Sequence, residues 1–314
     1  MKERPSVVVT GVSTGIGHAI AQVFTRRGWR VFGSVRKPQD RDRLQRELGV
    51  TTLVFDVTDE EGIRAAAEDV RRCLGNAKLG ALVNNAGIAI GGPLVLQPAS
   101  DFIKQLETNL LGPFLVTKAF APLLGTDRSR TGPPGRIVNI SSVEGKIALP
   151  FLGAYAASKH GLEGMSESLR RELMLYGIDV IIVAPGSVAT PIWDKAQAAE
   201  LAPYHTSDYA DAMQACRNYI QKGRKGLAPS EIGEVVFKTL TSRGPKIRYT
   251  VLPSVFKNWI LPRLLPKRMV DRIIARAAGL LPDVRTSCVN PPHEKIAGNQ
   301  SLESRAPRNV DLHH

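Results

Sequence analysis

A tyrosine and a lysine stand one helical turn apart in the segment Tyr155-Ala156-Ala157-Ser158-Lys159. Side chains at i and i+4 lie on one face of a helix, so the phenol and the ammonium can act together. A free tyrosine has a pKa of about 10, and a nearby ammonium favours the phenolate. Lowering that pKa by roughly two units corresponds to about 2.7 kcal/mol and predicts a proton donor or acceptor near its working pH. Taken alone, the pair also fits an exposed helix face.

Ser142 is a third candidate for chemistry. It stands thirteen residues before Tyr155 and ends a predicted buried strand. Neither helix capping nor core packing accounts for a serine there, so we treat it as part of the same site.

A glycine-rich turn, Thr10-Gly11-Val12-Ser13-Thr14-Gly15-Ile16-Gly17, lies between a predicted strand and a predicted helix. Dense glycine permits a tight turn and a close approach of the backbone to a pyrophosphate, which the amides at the helix start would face. The alternative is a tight turn without a ligand. The strand before and the helix after favour nucleotide binding.

The elements that must position these residues alternate along most of the chain. Short runs rich in Val, Ile and Leu are typical of strands buried on both faces. Between them lie segments with helical spacing, at His18–Arg27, Gly62–Leu74 and Phe102–Leu124. Strands alternating with helices predict an α/β fold, a single Rossmann-type, doubly wound parallel sheet of about seven strands with helices on both faces. The predicted strands are Ser6–Thr10, Trp29–Val35, Thr51–Phe55, Leu79–Val83, Gly135–Ser141, Ile178–Ala184 and Lys246–Leu252.

Length and composition agree with this organisation. A chain of 314 residues with 43% hydrophobic and 23% charged residues is an ordinary globular protein. It carries no apolar run of 18 uncharged residues, so we expect no conventional membrane-spanning helix. The apolar stretch near the N-terminus is too short for a signal peptide. Its three cysteines are far apart, so we expect a reducing, cytoplasmic location and no metal site.

The net charge of +13 is concentrated near the C-terminus, where residues 243–288 hold ten Lys or Arg and two Asp or Glu. Within this basic segment (253–285), Lys267–Ala278 is a predicted amphipathic helix with arginines at positions 268, 272 and 276. It could lie on an anionic membrane surface and be membrane-associated, or it could be a solvated helix that covers a pocket, which we favour. Nucleic acid is not expected, because clustered aromatic residues are lacking. We predict one domain over residues 1–288 and a disordered tail over 289–314.

The glycine spacing, the Tyr-x-x-x-Lys pair and the serine before it together resemble the classical short-chain dehydrogenase/reductase family, over roughly residues 5 to 252. Asn109, in Asn109-Leu110-Leu111-Gly112, matches the family's fourth catalytic position. The resemblance implies hydride transfer between a nicotinamide and a carbonyl or alcohol carbon. Ser142 would bind the substrate oxygen, Tyr155 would pass the proton, Lys159 would hold the nicotinamide ribose, and Asn109 would hold a water connecting Lys159 to solvent.

The same resemblance implies a dinucleotide site along the sheet edge. Neither Ser34 nor Val35, at the end of the second strand, is acidic, whereas Arg36 and Lys37 could pair with a 2′-phosphate, Arg36 through a bidentate contact. We therefore predict NADP(H) in preference to NAD(H); Arg36 as a solvated residue, or stacked on the adenine, is the alternative. Thr190 would bind the nicotinamide carboxamide. The predicted cofactor-binding residues are Gly11, Ser13, Thr14, Gly15, Ile16, Gly17, Arg36, Asp56, Val57, Asn85, Ala86, Gly87, Tyr155, Lys159, Pro185, Gly186, Val188 and Thr190.

The substrate is expected to be a bulky hydrophobic carbonyl or alcohol compound. The predicted substrate loop (191–228) is rich in apolar and aromatic residues, which could equally pack the loop's own helices. Ser142, Val143, Leu149 and Trp193 are predicted to line the pocket. The pattern is loosely similar to the 17β-hydroxysteroid and retinol dehydrogenase branch, and steroid, retinoid, lipid or aromatic carbonyls remain open.

Two other functions remain open at this point. One is an NAD(H)-dependent alcohol dehydrogenase of the same family. The other is a protein that senses a dinucleotide without doing chemistry, which would not need the proton relay of Asn109, Ser142, Tyr155 and Lys159. The family resemblance also implies a homodimer or homotetramer.

Overall fold

Seven parallel strands form the sheet, in the order β3-β2-β1-β4-β5-β6-β7. The computed structural model describes residues 4–191, 202–223, 226–255 and 264–281. The predicted fold class is therefore confirmed, with strand ends shifted by one or two residues. The strands are β1 (Ser6–Val9), β2 (Arg30–Val35), β3 (Thr51–Val54), β4 (Ala81–Asn84), β5 (Arg136–Ile140), β6 (Asp179–Pro185) and β7 (Arg248–Val251).

Helices cover both faces of this sheet. Side chains of a strand alternate between the two faces, and in β1 Val7 and Val9 enter one core whereas Val8 enters the other. All three are fully buried. The helices are α1 (Gly15–Arg26), α2 (Asp40–Leu48), α3 (Glu60–Leu74), α4 (Ala99–Leu106), α5 (Gly112–Ala121), α6 (Gly153–Glu172), α7 (Ala210–Gly223), α8 (Pro229–Thr241) and α9 (Lys267–Ala277).

The predicted helix Phe102–Leu124 is in fact interrupted. Between α4 and α5 the chain makes a π-helical turn over Glu107–Leu111, and a second one follows α5 over Pro122–Thr126. Pro113 and Pro122 have no backbone N–H to donate, so a regular hydrogen-bond ladder cannot continue through them. The first of these turns carries Asn109 and points it into the protein, where it is fully buried.

Met1–Leu280 forms one compact unit; of a second unit, Leu281–His314, the structure describes Leu281 only. The predicted boundary between residues 288 and 289 and the predicted tail lie outside the described residues. Within the described ranges, no helix is both long and apolar enough to cross a membrane.

Candidate active site

The glycine turn after β1 is interlocked with the loop that follows β4. The Thr10 hydroxyl accepts hydrogen bonds from the backbone N–H groups of Asn85 (2.9 Å) and Ala86 (3.0 Å). In return, Asn85 Nδ2 donates to the Thr10 carbonyl at 2.8 Å. β1 and β4 are neighbours at the point where the strand order reverses, the usual binding crevice of such sheets.

Two glycines of the turn cannot carry a side chain. Gly11 has a φ of +72°, and a Cβ there would lie 3.1 Å from the Cα of Ala86. A Cβ on Gly17 would lie 2.2 Å from the carbonyl oxygen of Gly11. The backbone of the turn can thus come close to a neighbouring group only because these positions have no side chain.

A cleft of about 400 Å³ runs along this sheet edge. Every predicted cofactor-binding residue except Gly17 lines it; Gly17 instead packs beneath the turn, against the Gly11 carbonyl. Sequence reasoning missed the role of Ser34, whose hydroxyl accepts a hydrogen bond from Gly11 N at 3.1 Å and so holds the turn. It also missed Asp40, Thr108 and Ser141, which line the same cleft, as does Lys37, which the sequence analysis placed beside Arg36.

The residues of the cleft fit a phosphorylated dinucleotide. The Thr14 side chain does not cap α1, so the first amides of this helix are available to an anion. At the other end of the cleft, 64% of the Arg36 side chain is exposed, and its Nη1 lies 3.9 Å from Asp56 Oδ2. Such a long, exposed ion pair contributes little. The Arg36 guanidinium can therefore turn to a phosphate at small cost.

α6 carries Tyr155 and Lys159 into the same cleft, and both are more than nine-tenths buried. Lys159 Nζ donates to the Ile140 carbonyl at the end of β5 (2.9 Å) and lies 5.7 Å from the centre of the Tyr155 ring. Ser142 follows β5, and its hydroxyl accepts a hydrogen bond from Glu144 N at 3.2 Å. The serine thus does have a capping role, which the sequence did not reveal.

The electrostatics of Tyr155 differ from the sequence-based expectation. Burial raises the pKa of the phenol to about 12, although a hydrogen bond with Ser142 acts in the opposite direction. Burial also lowers the pKa of Lys159 to about 8. The expected lowering of the Tyr155 pKa is therefore wrong for this structure, because the loss of hydration of a buried phenolate outweighs the hydrogen bond from Ser142.

Asn109 lies next to this pair but does not line the cleft. Its Nδ2 donates to the Ile88 carbonyl (2.8 Å) and to Ser158 Oγ (3.0 Å), and its Oδ1 accepts from Ile88 N at 2.8 Å. A Cβ on Gly87 would lie 3.1 Å from Asn109 Oδ1 and 3.7 Å from Lys159 Nζ. The structure thus brings Asn109 close to Lys159, and its water-binding role stays a prediction.

Two buried carboxyl groups border the site, and sequence reasoning missed both. Glu144 is 5% exposed, and its Oε2 accepts from Leu149 N at 3.0 Å. Burial raises the pKa of Glu144 to about 7, and its charge raises the pKa of Tyr155 further. Glu163 is 1% exposed, accepts from Ser141 Oγ at 2.9 Å, and pairs with Arg248 and Lys146 at 3.0 and 3.4 Å. The sequence signal for Glu144 was its position two residues after Ser142.

The four residues predicted to line the substrate pocket lie in different places. Ser142 lines the cleft, and Val143 begins the short 3₁₀ turn after it. Leu149 lines a second cavity of about 450 Å³, and Trp193 lies outside the described residues. This second cavity is formed by the 93–95 and 148–153 segments, Tyr209, and the inner side of α9 with Leu280.

Known proteins resemble this chain over most of its length. The family model for short chain dehydrogenase matches residues 5–201. The chain is 36% identical to an NADPH-dependent 3-dehydrocapnine reductase of Ornithobacterium rhinotracheale, over 85% of this chain and 94% of that protein. It is 34% identical to a 3-ketodihydrosphingosine reductase of Bacteroides thetaiotaomicron (81% and 92% covered) and 33% identical to retinol dehydrogenase 5 of Mus musculus (85% and 87%).

A solved structure shares the fold. A metagenomic short-chain oxidoreductase in complex with NADP matches with a TM-score of 0.61 and 29% identity, over 80% of this chain and 97% of that one.

Proposed function

The chain belongs to the short-chain dehydrogenase/reductase family, and within it we propose an NADP(H)-dependent reductase of hydrophobic ketones with Tyr155 as the general acid. The likeness to a retinol dehydrogenase fits the branch that the sequence resembled. The family makes the protein an oxidoreductase acting on alcohol and carbonyl groups. The cofactor preference, the substrate class and the residue roles are the proposal.

The observation that carries the proposal is that Ser142, Tyr155 and Lys159 line one cleft, with Ser142 after β5, three strands away from β2, which Arg36 follows. The Ser142 oxygen accepts from Glu144 N, and the hydroxyl is also hydrogen-bonded to Tyr155, so a carbonyl oxygen that enters between the two side chains could accept the Ser142 proton in place of the phenol oxygen. A Tyr155 phenol with a pKa of about 12 stays protonated at neutral pH and can donate its proton to the same oxygen. The two donors stand ready for the charge that develops there during reduction.

When bound, NADPH supplies the hydride. The residues that would hold it are the α1 amides and the glycine turn at the pyrophosphate, and Lys159 at the nicotinamide ribose. Arg36 would hold the 2′-phosphate. NADP preference is supported by the absence of a carboxylate at the end of β2, and by the NADPH dependence and the NADP complex named for two similar proteins. An NAD(H)-dependent enzyme is the alternative.

A lipophilic ketone is supported by two observations. The second cavity has an apolar lining that includes Leu149, Phe151 and Ile274. The similar proteins named above are a 3-dehydrocapnine reductase, a 3-ketodihydrosphingosine reductase and a retinol dehydrogenase. Two of these names describe reductases, which supports reduction as the working direction. Steroid, retinoid, lipid and aromatic carbonyl compounds all fit.

The test is NADPH oxidation with a panel of such ketones, using the wild type and Tyr155→Phe. We expect Tyr155→Phe to lower kcat by 10²- to 10⁴-fold, the usual contribution of a positioned general acid. Its Kd for NADPH should change by less than about threefold, because the ring and Lys159 remain. Tyr176→Phe, outside the cleft, is the matched control and should keep full activity.

Two results would contradict the proposal. Retained turnover in Tyr155→Phe would remove Tyr155 from the reaction. Tight NADPH binding by the wild type without turnover of any ketone or alcohol would instead favour the dinucleotide sensor.

A further inference from the structure

α9 has two different sides. Asp271, Ile274 and Ala275 line the second cavity, whereas Met269 and Ile273 are 43% and 54% exposed. No residue of this helix is fully buried. Helical spacing places the exposed Met269 and Ile273 on the side away from the cavity. The outer side of α9 is thus apolar and faces solvent within the part of the chain that the structure describes.

A second exposed apolar segment adjoins α9 across the same cavity. Leu94 and Val95 line the cavity together with α9, yet they are 55% and 77% exposed, and the next residue, Leu96, is 47% exposed. Neighbouring exposed apolar residues, as on each of these two segments, mark an interaction surface more often than scattered ones do. We name α9 with Leu94–Leu96 the cavity rim.

Positive charge accompanies this apolar surface. Lys267, Arg268, Arg272 and Arg276 are exposed, and Asp271, the single acidic residue of α9, faces the cavity. Among the described residues, no carboxylate forms an ion pair with any of the three arginines. Successive positions four apart place these arginines in a row beside Met269 and Ile273. An apolar strip flanked by arginines is typical of helices that lie in a membrane interface.

We infer that the cavity rim docks on an anionic lipid bilayer. The arginines would contact lipid head groups, and Met269 and Ile273, on the side of α9 away from the second cavity, would enter the acyl boundary. Docking does not depend on the proposed function.

Charge complementarity favours a bilayer over a second copy of the chain as the occupant. Two identical rims facing each other across a twofold axis would bring two rows of arginines together. An anionic bilayer instead presents negative charge at its surface, where the arginines would lie, and an apolar interior just beneath, which the apolar side chains of a helix lying on the surface can reach.

The experiment is cosedimentation of the full chain with vesicles. We expect binding to vesicles with 30 mol% phosphatidylglycerol, little binding to pure phosphatidylcholine vesicles, and weaker binding in 0.5 M NaCl. The triple variant Arg268→Gln, Arg272→Gln and Arg276→Gln should lose about 100-fold in affinity, since each basic residue contributes about 1 kcal/mol at such a surface.

A matched triple variant controls for net charge. Arg26→Gln, Arg41→Gln and Arg64→Gln remove the same charge from exposed helical positions elsewhere and should keep most of the binding. An equal loss in both triple variants would overturn the specific surface. So would a wild type that does not bind anionic vesicles at all.

Ile273→Asp tests the apolar part, because this exposed side chain can change without cost to the fold. We expect weaker vesicle binding and an unchanged sedimentation coefficient. A shift from dimer to monomer with unchanged vesicle binding would show an interface between copies and overturn the proposal.

Reduction of a water-soluble ketone by the arginine variant separates the two proposals. Lost vesicle binding with normal turnover concerns docking alone. Vesicle binding of the wild type without any turnover concerns the proposed function alone.

Discussion

Replacing Glu144 with glutamine should make the protein more stable above neutral pH. The carboxyl is 5% exposed, and burial raises its pKa from 4.5 to about 7. The folded protein therefore binds more protons than the unfolded chain between these two pH values. Stability from this group is fully present below pH 4.5 and is lost as the pH rises through the folded-state pKa.

The size of this change in stability follows from the difference between the unfolded-state and folded-state pKa values of Glu144. A shift from 4.5 to about 7, at 1.36 kcal/mol for each pKa unit, costs the native state about 3 kcal/mol above pH 7. Glutamine has no proton to lose, and its carbonyl can still accept the hydrogen bond from Leu149 N. The free energy of unfolding of Glu144→Gln minus that of the wild type should thus rise by about 3 kcal/mol between pH 4.5 and pH 8.

The assay is urea denaturation of both proteins at half-unit steps between pH 4.5 and 8. Other titrating groups, Lys159 among them, cancel in the difference. Glu107→Gln, at an exposed position, is the matched control and should show a flat difference. A flat difference for Glu144→Gln would refute the reasoning that an ionised carboxylate is held in a buried place. Because the charge on Glu144 also raises the pKa of Tyr155, the same variant should lose ketone reduction at a lower alkaline pH than the wild type.

Two further predictions concern single charged side chains. Arg36→Asp should move the preference from NADPH toward NADH by at least tenfold in the ratio of kcat/KM values, since a carboxylate attracts ribose hydroxyls and repels a 2′-phosphate; an unchanged ratio would contradict the assignment of Arg36. Glu163→Ala should lower the free energy of unfolding by about 3–5 kcal/mol in urea denaturation, because it removes the buried carboxylate that pairs with Arg248 and accepts from Ser141; a loss below about 1 kcal/mol would show that the pair is solvated, and Glu163→Gln should cost less than the alanine.

Hydrophobic patterning was enough to predict the sheet. Strands buried on both faces appear as short apolar runs, so all seven were placed within two residues of their observed ends. α2 was missed because it buries only Leu44 and Leu48 and is otherwise polar. The π-helical turn at Asn109 was also not predicted, because a single inserted residue inside an otherwise helical segment has no sequence signal of its own.

For the candidate site, the residue types were predictable and their energetics were not. The motifs named the side chains that line the cleft, since glycine and paired Tyr and Lys are rare enough together to be recognised. The pKa of Tyr155 depends on how completely the phenol is buried and on the charge of Glu144. Both are set by packing between segments that no spacing rule connects.

The hydrogen bonds between the glycine turn after β1 and the loop after β4 have a consequence for biosynthesis. The Thr10 hydroxyl joins residues 75 positions apart, and α6 with Tyr155 and Lys159 is made later still. A nascent chain on the ribosome can thus hold no dinucleotide until β4 has docked beside β1, and contacts so distant in sequence form slowly. Until then β1 can pair only with β2, and its other edge waits for β4.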